Sequence, residues 1–88
     1  MIEVFETEYM VFRLIERKSK TGVWEAINKH GGYKLGLLKW YGHWRQYCFF
    51  PELDDETVFS ASCLRDIVTF IDKITLERKL KHLEARQV

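Results

Sequence analysis

One run, residues 35–51, limits the fold more than any other part of the chain. LGLLKWYGHWRQYCFFP holds six aromatic residues: Trp40, Tyr41, Trp44, Tyr47, Phe49 and Phe50. Apolar residues fill both alternating sets of positions, so a strand pair built from it is apolar on both faces. Gly42-His43 fits a two-residue type II′ turn, which takes Gly first. Such a turn pairs Tyr41 with Trp44, Trp40 with Arg45, Leu38 with Tyr47, and Gly36 with Phe49. One face then carries Gly36, Leu38, Trp40, Arg45, Tyr47 and Phe49. The other carries Leu35, Leu37, Lys39, Tyr41, Trp44, Gln46, Cys48 and Phe50. A sheet apolar on both sides needs a cover on each, from its own chain or from a partner.

The flanking segments extend this sheet. In residues 8–16, Met10, Phe12 and Leu14 alternate with Val11, Arg13 and Ile15, which reads as a strand. A helix over residues 2–17 is the alternative, since Phe5, Phe12 and Ile15 can share a face. Residues 17–22 form a polar turn ending at Gly22, and VWEAIN (23–28) is the next strand. HGGYK (30–34) is a Gly-Gly connection able to supply positive φ. Pro51 ends the last strand, and an acidic loop follows over 52–59, with Glu52, Asp54, Asp55 and Glu56.

Beyond it, Ser60 or Ser62 can cap a helix by accepting from free backbone N–H groups. Leu64, Ile67, Val68, Ile71 and Ile74 keep the 3.6-residue period. Leu76, Leu80 and Leu83 fall on nearly the opposite side. The helix, residues 60–86, therefore either bends near Thr75 or sends its second half away from the domain. The expected fold is a single α+β domain over 1–88. An antiparallel three- to four-stranded meander (8–51) precedes a C-terminal helix on one of its faces. Leu38, Trp40, Tyr47 and Phe49 are expected to meet Leu64, Ile67, Val68 and Ile71, with Gly36 letting the helix come close.

Composition narrows the function classes. A chain of 88 residues allows one domain, and 47% hydrophobic content allows a real core. No apolar run approaches the roughly 20 residues of a membrane span. MIEVFETEYM carries three glutamates and no basic start, unlike a signal peptide, so the expected location is the cytoplasm. For a chain injected into a host cell that is the host's cytoplasm. Cys48 and Cys63 read as packed thiols rather than a disulfide. With His30, His43 and His82 they lack the spacing of a zinc site. The acids at 52–56 lack the interleaved Asp/Asn and Gly of a calcium loop. No P-loop, dinucleotide fingerprint or nucleophile elbow is present. The expectation is a protein that is not an enzyme and takes no cofactor or metal.

The net charge is only +1, but the charges are segregated. Lys39, Trp40, Tyr41, His43, Trp44 and Arg45 crowd one hairpin tip. Lys29, His30, Tyr33 and Lys34 crowd the neighbouring turn. Cations meet phosphates and rings stack on bases, so Lys29, Lys34, Lys39, Tyr41, His43, Trp44 and Arg45 are candidate binding residues for a partner or nucleic acid. The competing reading buries Trp40 and Tyr47 in the core, with Arg45 over an aromatic face. Surplus apolar surface at Leu76, Leu80, Leu83, Leu35, Leu37 and Phe50 makes a candidate oligomer interface, and a homo-oligomer is expected.

Two resemblances follow from these residues. VWEAINKHGGYKLGLL is similar in rhythm to three-strand-plus-helix DNA-binding domains of integrase N-termini and plant AP2-type factors. Those domains read the major groove with the sheet. The second is a pattern over residues 20–72, K-T-x-x-W, then L-G-x-[IL]-K-W-Y-x-x-W-R-Q-Y-x-F-x-P, then a Cys-Leu helix start. It is carried here by Lys20, Thr21, Trp24, Leu35, Gly36, Leu38, Lys39, Trp40, Tyr41, Trp44, Arg45, Gln46, Tyr47, Phe49, Pro51, Cys63 and Leu64. It resembles small uncharacterised proteins of bacteriophages and gut-type bacteria, and implies a phage or mobile-element origin. The leading expectation is an interaction protein, in the manner of a phage accessory or anti-defence factor that binds a host protein. The alternative is a nucleic-acid-binding module using the hairpin tips.

Overall fold

A computed structural model describes residues 1–52 and 57–86. Five strands precede one helix: β1 (Val4–Glu6), β2 (Met10–Arg17), β3 (Gly22–Asn28), β4 (Lys34–Tyr41), β5 (Gln46–Pro51) and α1 (Ala61–Arg86). Each strand pairs antiparallel with the next, in the order β1-β2-β3-β4-β5. The fold is α+β, a meander with one helix packed on it. Asp54, Asp55 and Glu56 of the expected acidic loop lie outside the described residues.

The sheet has one strand more than the sequence suggests. β1 is only three residues long, too short to show alternation, and its register with β2 places Phe5 opposite Phe12. Phe5 turns inward and stacks on Phe70 of α1 at 5.6 Å. β2 is a strand rather than part of a helix, as its alternation favours.

The β4–β5 hairpin departs from the expected turn. Observed pairs are Tyr41 with Gln46, Trp40 with Tyr47, Leu38 with Phe49, and Gly36 with Pro51. Residues 42–45 form a four-residue turn. Trp44 N–H donates to the Tyr41 carbonyl (3.2 Å), Arg45 N–H donates to the Gly42 carbonyl (3.3 Å), and Arg45 takes φ 52°. The register differs from the II′ expectation by two. An even offset keeps every strand side chain on its face, so Leu38, Trp40, Tyr47 and Phe49 still look toward the helix. Arg45 leaves that face for the turn.

Two bulges decide other placements. Between Leu14 and Glu16 of β2 the register slips, leaving Ile15 unpaired and half in solvent. Opposite Ala26 and Ile27, Leu35 is the extra residue on β4. Strict alternation sends Leu35 to the outer face with Leu37, but the bulge turns it inward, where it is 4% exposed and part of the core. Gly36, at φ 157°, makes room for β5 rather than for the helix. A Cβ there would lie 2.3 Å from the Phe50 carbonyl oxygen and 2.9 Å from the Phe49 ring.

Ser60, not Ser62, caps α1. Its Oγ accepts from Cys63 N–H (3.1 Å), and its carbonyl accepts from Leu64 N–H (3.0 Å). The helix buries Cys63, Ile67, Phe70 and Ile74, whereas Leu64 and Val68 are about half exposed. The seated face is therefore rotated by roughly 60° from the expected stripe, at 100° per residue. Phe70 explains the rotation. Its ring stacks on Phe12 at 4.4 Å and meets the edge of Trp24 at 5.5 Å. Seating the largest apolar side chain of the helix outweighs seating Leu64 and Val68, because burial stabilises in proportion to apolar area. Among the described residues, Trp24, Phe12, Phe70, Met10, Leu38 and Ile74 are the largest fully buried side chains, and no polar residue is buried with them. Trp24 Nε1–H donates to the Ile2 carbonyl at 2.8 Å, which satisfies its polar tip.

Candidate functional site

Successive turns of a meander lie at opposite ends of the sheet. Residues 29–33, between β3 and β4, are therefore not neighbours of residues 42–45, between β4 and β5. An eight-residue strand separates them by about 26 Å. The two basic-aromatic tips, which look contiguous in the sequence, are two separate surfaces.

At the first end, Lys29 is committed to structure. Its Nζ lies 2.8 Å from Glu6 Oε2 and donates to the Thr7 carbonyl at 3.0 Å. Lys34 is exposed nearby. Thr7 Oγ1 donates to Asp66 Oδ2 at 2.7 Å, pinning the β1–β2 turn to the first turns of α1.

At the second end, Trp44 is 67% exposed and meets Tyr41 edge-on at 5.0 Å. Tyr41 also touches His43 (5.3 Å) and Phe50 (5.9 Å). Lys39 Nζ lies 4.5 Å from the Phe50 ring centre. Tyr41, Lys39, Phe50, Leu37 and Cys48 share the outer face of the sheet, each half-buried by its neighbours. That face has no layer over it among the described residues. Cys48 is thus only partly buried, whereas Cys63 is in the core; both are free thiols.

The cation on Trp40 is Arg78, not Arg45. Its guanidinium carbon sits 4.1 Å from the Trp40 ring centre. Arg78 continues the inward stripe four residues after Ile74, and that spacing is the sequence signal for it. Tyr47, edge-on to Trp40 at 5.4 Å, accepts a hydrogen bond from Gly22 N–H at 3.4 Å. Burial holds the Tyr47 hydroxyl above the usual tyrosine range, and the Gly22 N–H and Arg78 charge oppose that shift.

Beyond Arg78 the helix runs off the sheet. Lys79, Leu80, Lys81, His82 and Leu83 are all exposed. Lys81 follows Ile74 by seven residues and so lies on the inward side, yet it is exposed, with none of the described strands under it. The helix is one unbroken element through Thr75, and its second half continues past the packed stretch. On its outward side Leu76, Leu80 and Leu83 are 57%, 51% and 53% exposed. Of the expected oligomer surface, then, Leu35 is withdrawn into the core, Leu37 and Phe50 are half-buried, and the three leucines stand free. None of the described helices is long and apolar enough to cross a membrane.

No family model and no solved structure matches this chain. Over 79 residues it is 34% identical to an "Uncharacterized 9.3 kDa protein" of Acholeplasma phage L2, a match covering 89% of this chain and 99% of that one. The chain belongs to the same protein family as that phage protein.

Proposed function

We propose that this is a non-enzymatic interaction protein, a phage accessory factor that acts by occupying another protein. The outward leucine row of α1 serves as its docking surface. One observation carries the reading. The helix is apolar on two sides, and only the side bearing Cys63, Ile67, Phe70 and Ile74 is covered by the sheet. Leu76, Leu80 and Leu83 follow the 4–3 spacing of a helix–helix seam. Two projecting turns have little stability of their own in water, so a helix partner gains both apolar burial and helix order. A second copy of this chain has the same seam to offer, and the first assembly expected is a homodimer through α1.

Light scattering on the wild type and on a Leu76→Glu, Leu80→Glu, Leu83→Glu variant tests this. A dimeric wild type and a folded, monomeric variant support it. A wild-type mass equal to one chain removes the self-docking reading. An unchanged dimer in the variant moves the interface to the outer sheet face, around Leu37 and Phe50.

A further inference from the structure

The end of the sheet from which the helix projects gathers charge from three segments far apart in sequence. The β2–β3 turn brings Arg17, Lys18 and Lys20, and the β4–β5 turn brings Arg45 beside His43 and Trp44. The last described turns of α1 bring Arg78, Lys79, Lys81 and His82. Their convergence is fixed by contacts. Arg78 lies on Trp40, Tyr47 Oη meets Gly22 N–H, and the Met1 amine is 3.5 Å from Glu77 Oε1. Seven Lys and Arg side chains thus share one end of a chain whose net charge is +1.

The nearby carboxylates are partly spent. Glu3 Oε1 takes Arg17 at 2.7 Å, and Glu77 takes both the Met1 amine and Lys81. The guanidinium of Arg78 has no acceptor at Nε among the described residues and rests on an aromatic face. The opposite end carries Glu6, Glu8, Glu52 and Asp66 against Lys29, Lys34 and Arg65, so the excess of cations, seven against Glu3, Glu16 and Glu77, lies at this end. Such a field draws a polyanion to one end.

We infer that this basic end binds single-stranded nucleic acid, independently of any association through the leucine row. The phosphates meet Lys18, Lys20 and Arg45, and a base stacks on the indole of Trp44. The choice of a single strand rests on Trp44. Its ring is two-thirds exposed yet held edge-on to Tyr41. Unpaired bases offer faces to such a ring, whereas a duplex keeps its bases stacked on each other. The two turns lie about 10 Å apart across the sheet, two strand spacings, which suits a backbone crossing the end of the sheet.

Fluorescence anisotropy with a labelled oligothymidine of about 16 nucleotides tests the inference. Wild-type binding should weaken steeply as salt rises, because bound phosphates release counterions. A Lys18→Glu, Lys20→Glu, Arg45→Glu variant should lose at least about tenfold in affinity, and Trp44→Ala about fivefold or more. Lys34→Glu, at the opposite end, should bind like the wild type, and thermal melting should show all variants folded. No binding at low salt, equal binding by the triple variant, or tighter binding to the matching duplex overturns the site. So does binding to phosphatidylserine vesicles without binding to the oligonucleotide. The dimer measurement reads a different surface, so either result can fail alone.

Discussion

Between Cys63 and Ile74, α1 turns Cys63, Ile67, Phe70 and Ile74 onto the sheet, and all four are buried. Between Lys79 and Leu83 the same helix leaves every side chain in solvent. Helical period and backbone are common to both halves. The difference lies underneath: strands lie below the first stretch, and none of the described strands lies below the second. The inward stripe changes composition at that boundary, from Ile67, Phe70 and Ile74 to Arg78 and Lys81. A stripe is apolar only as far as its cover extends, and the residue that marks the limit is Arg78 on Trp40.

The packed half should fail first when its centre is removed. Phe70→Ala deletes the ring between Phe5, Phe12 and Trp24 and should cost about 3–5 kcal/mol in denaturant unfolding. A cost below about 1 kcal/mol would mean that the helix is not seated there, and the contrast between halves would collapse. Ser60→Ala leaves the Cys63 N–H without its acceptor and should cost about 1 kcal/mol by the same assay.

Tyr47 sharpens the boundary through pH. Its hydroxyl ionises less readily folded than unfolded, because it is buried. Stability from this group is complete below the unfolded tyrosine pKa of about 10 and is lost as pH rises through the folded value. Tyr47→Phe should flatten that alkaline decline in a pH series of thermal melts; an unaltered slope would place the decline elsewhere. The smallest effect belongs to the projecting half. Leu80→Gln should change monomer stability by no more than about 0.5 kcal/mol, measured at concentrations too low for association. A loss comparable to that of Phe70→Ala would show that the second half is packed after all.

Much of the architecture was legible because the alternating pattern is robust to small errors. A turn of four residues in place of two left Leu38, Trp40, Tyr47 and Phe49 on the core face, since the offset was even. An odd irregularity is different. The bulge at Leu35 changes that residue's face, and nothing in KLGLL announces it. Helix stripes are harder to read. Leu64/Val68 and Cys63/Phe70 both fit the period, and the ring stack on Phe12 decides between them only in three dimensions. The two basic-aromatic tips occupy separate surfaces for a topological reason: sequence distance between turns says nothing about which end of a sheet they occupy. Residues 17–20 and 78–82, never grouped with the hairpin tip by spacing, share its end of the molecule.

The strand order has a consequence in time. Every strand pairs only with its sequence neighbours, through turns of three to five residues. Closing short loops costs little entropy, so the sheet can assemble hairpin by hairpin, at the fast end of what antiparallel sheets achieve. Seating α1 is the step that joins distant segments, since Asp66 reaches a threonine 59 positions away. Changes in the turns should therefore act mainly on how quickly the chain folds. Changes under the helix, whose contacts span the longest sequence separations, should act mainly on how quickly it comes apart.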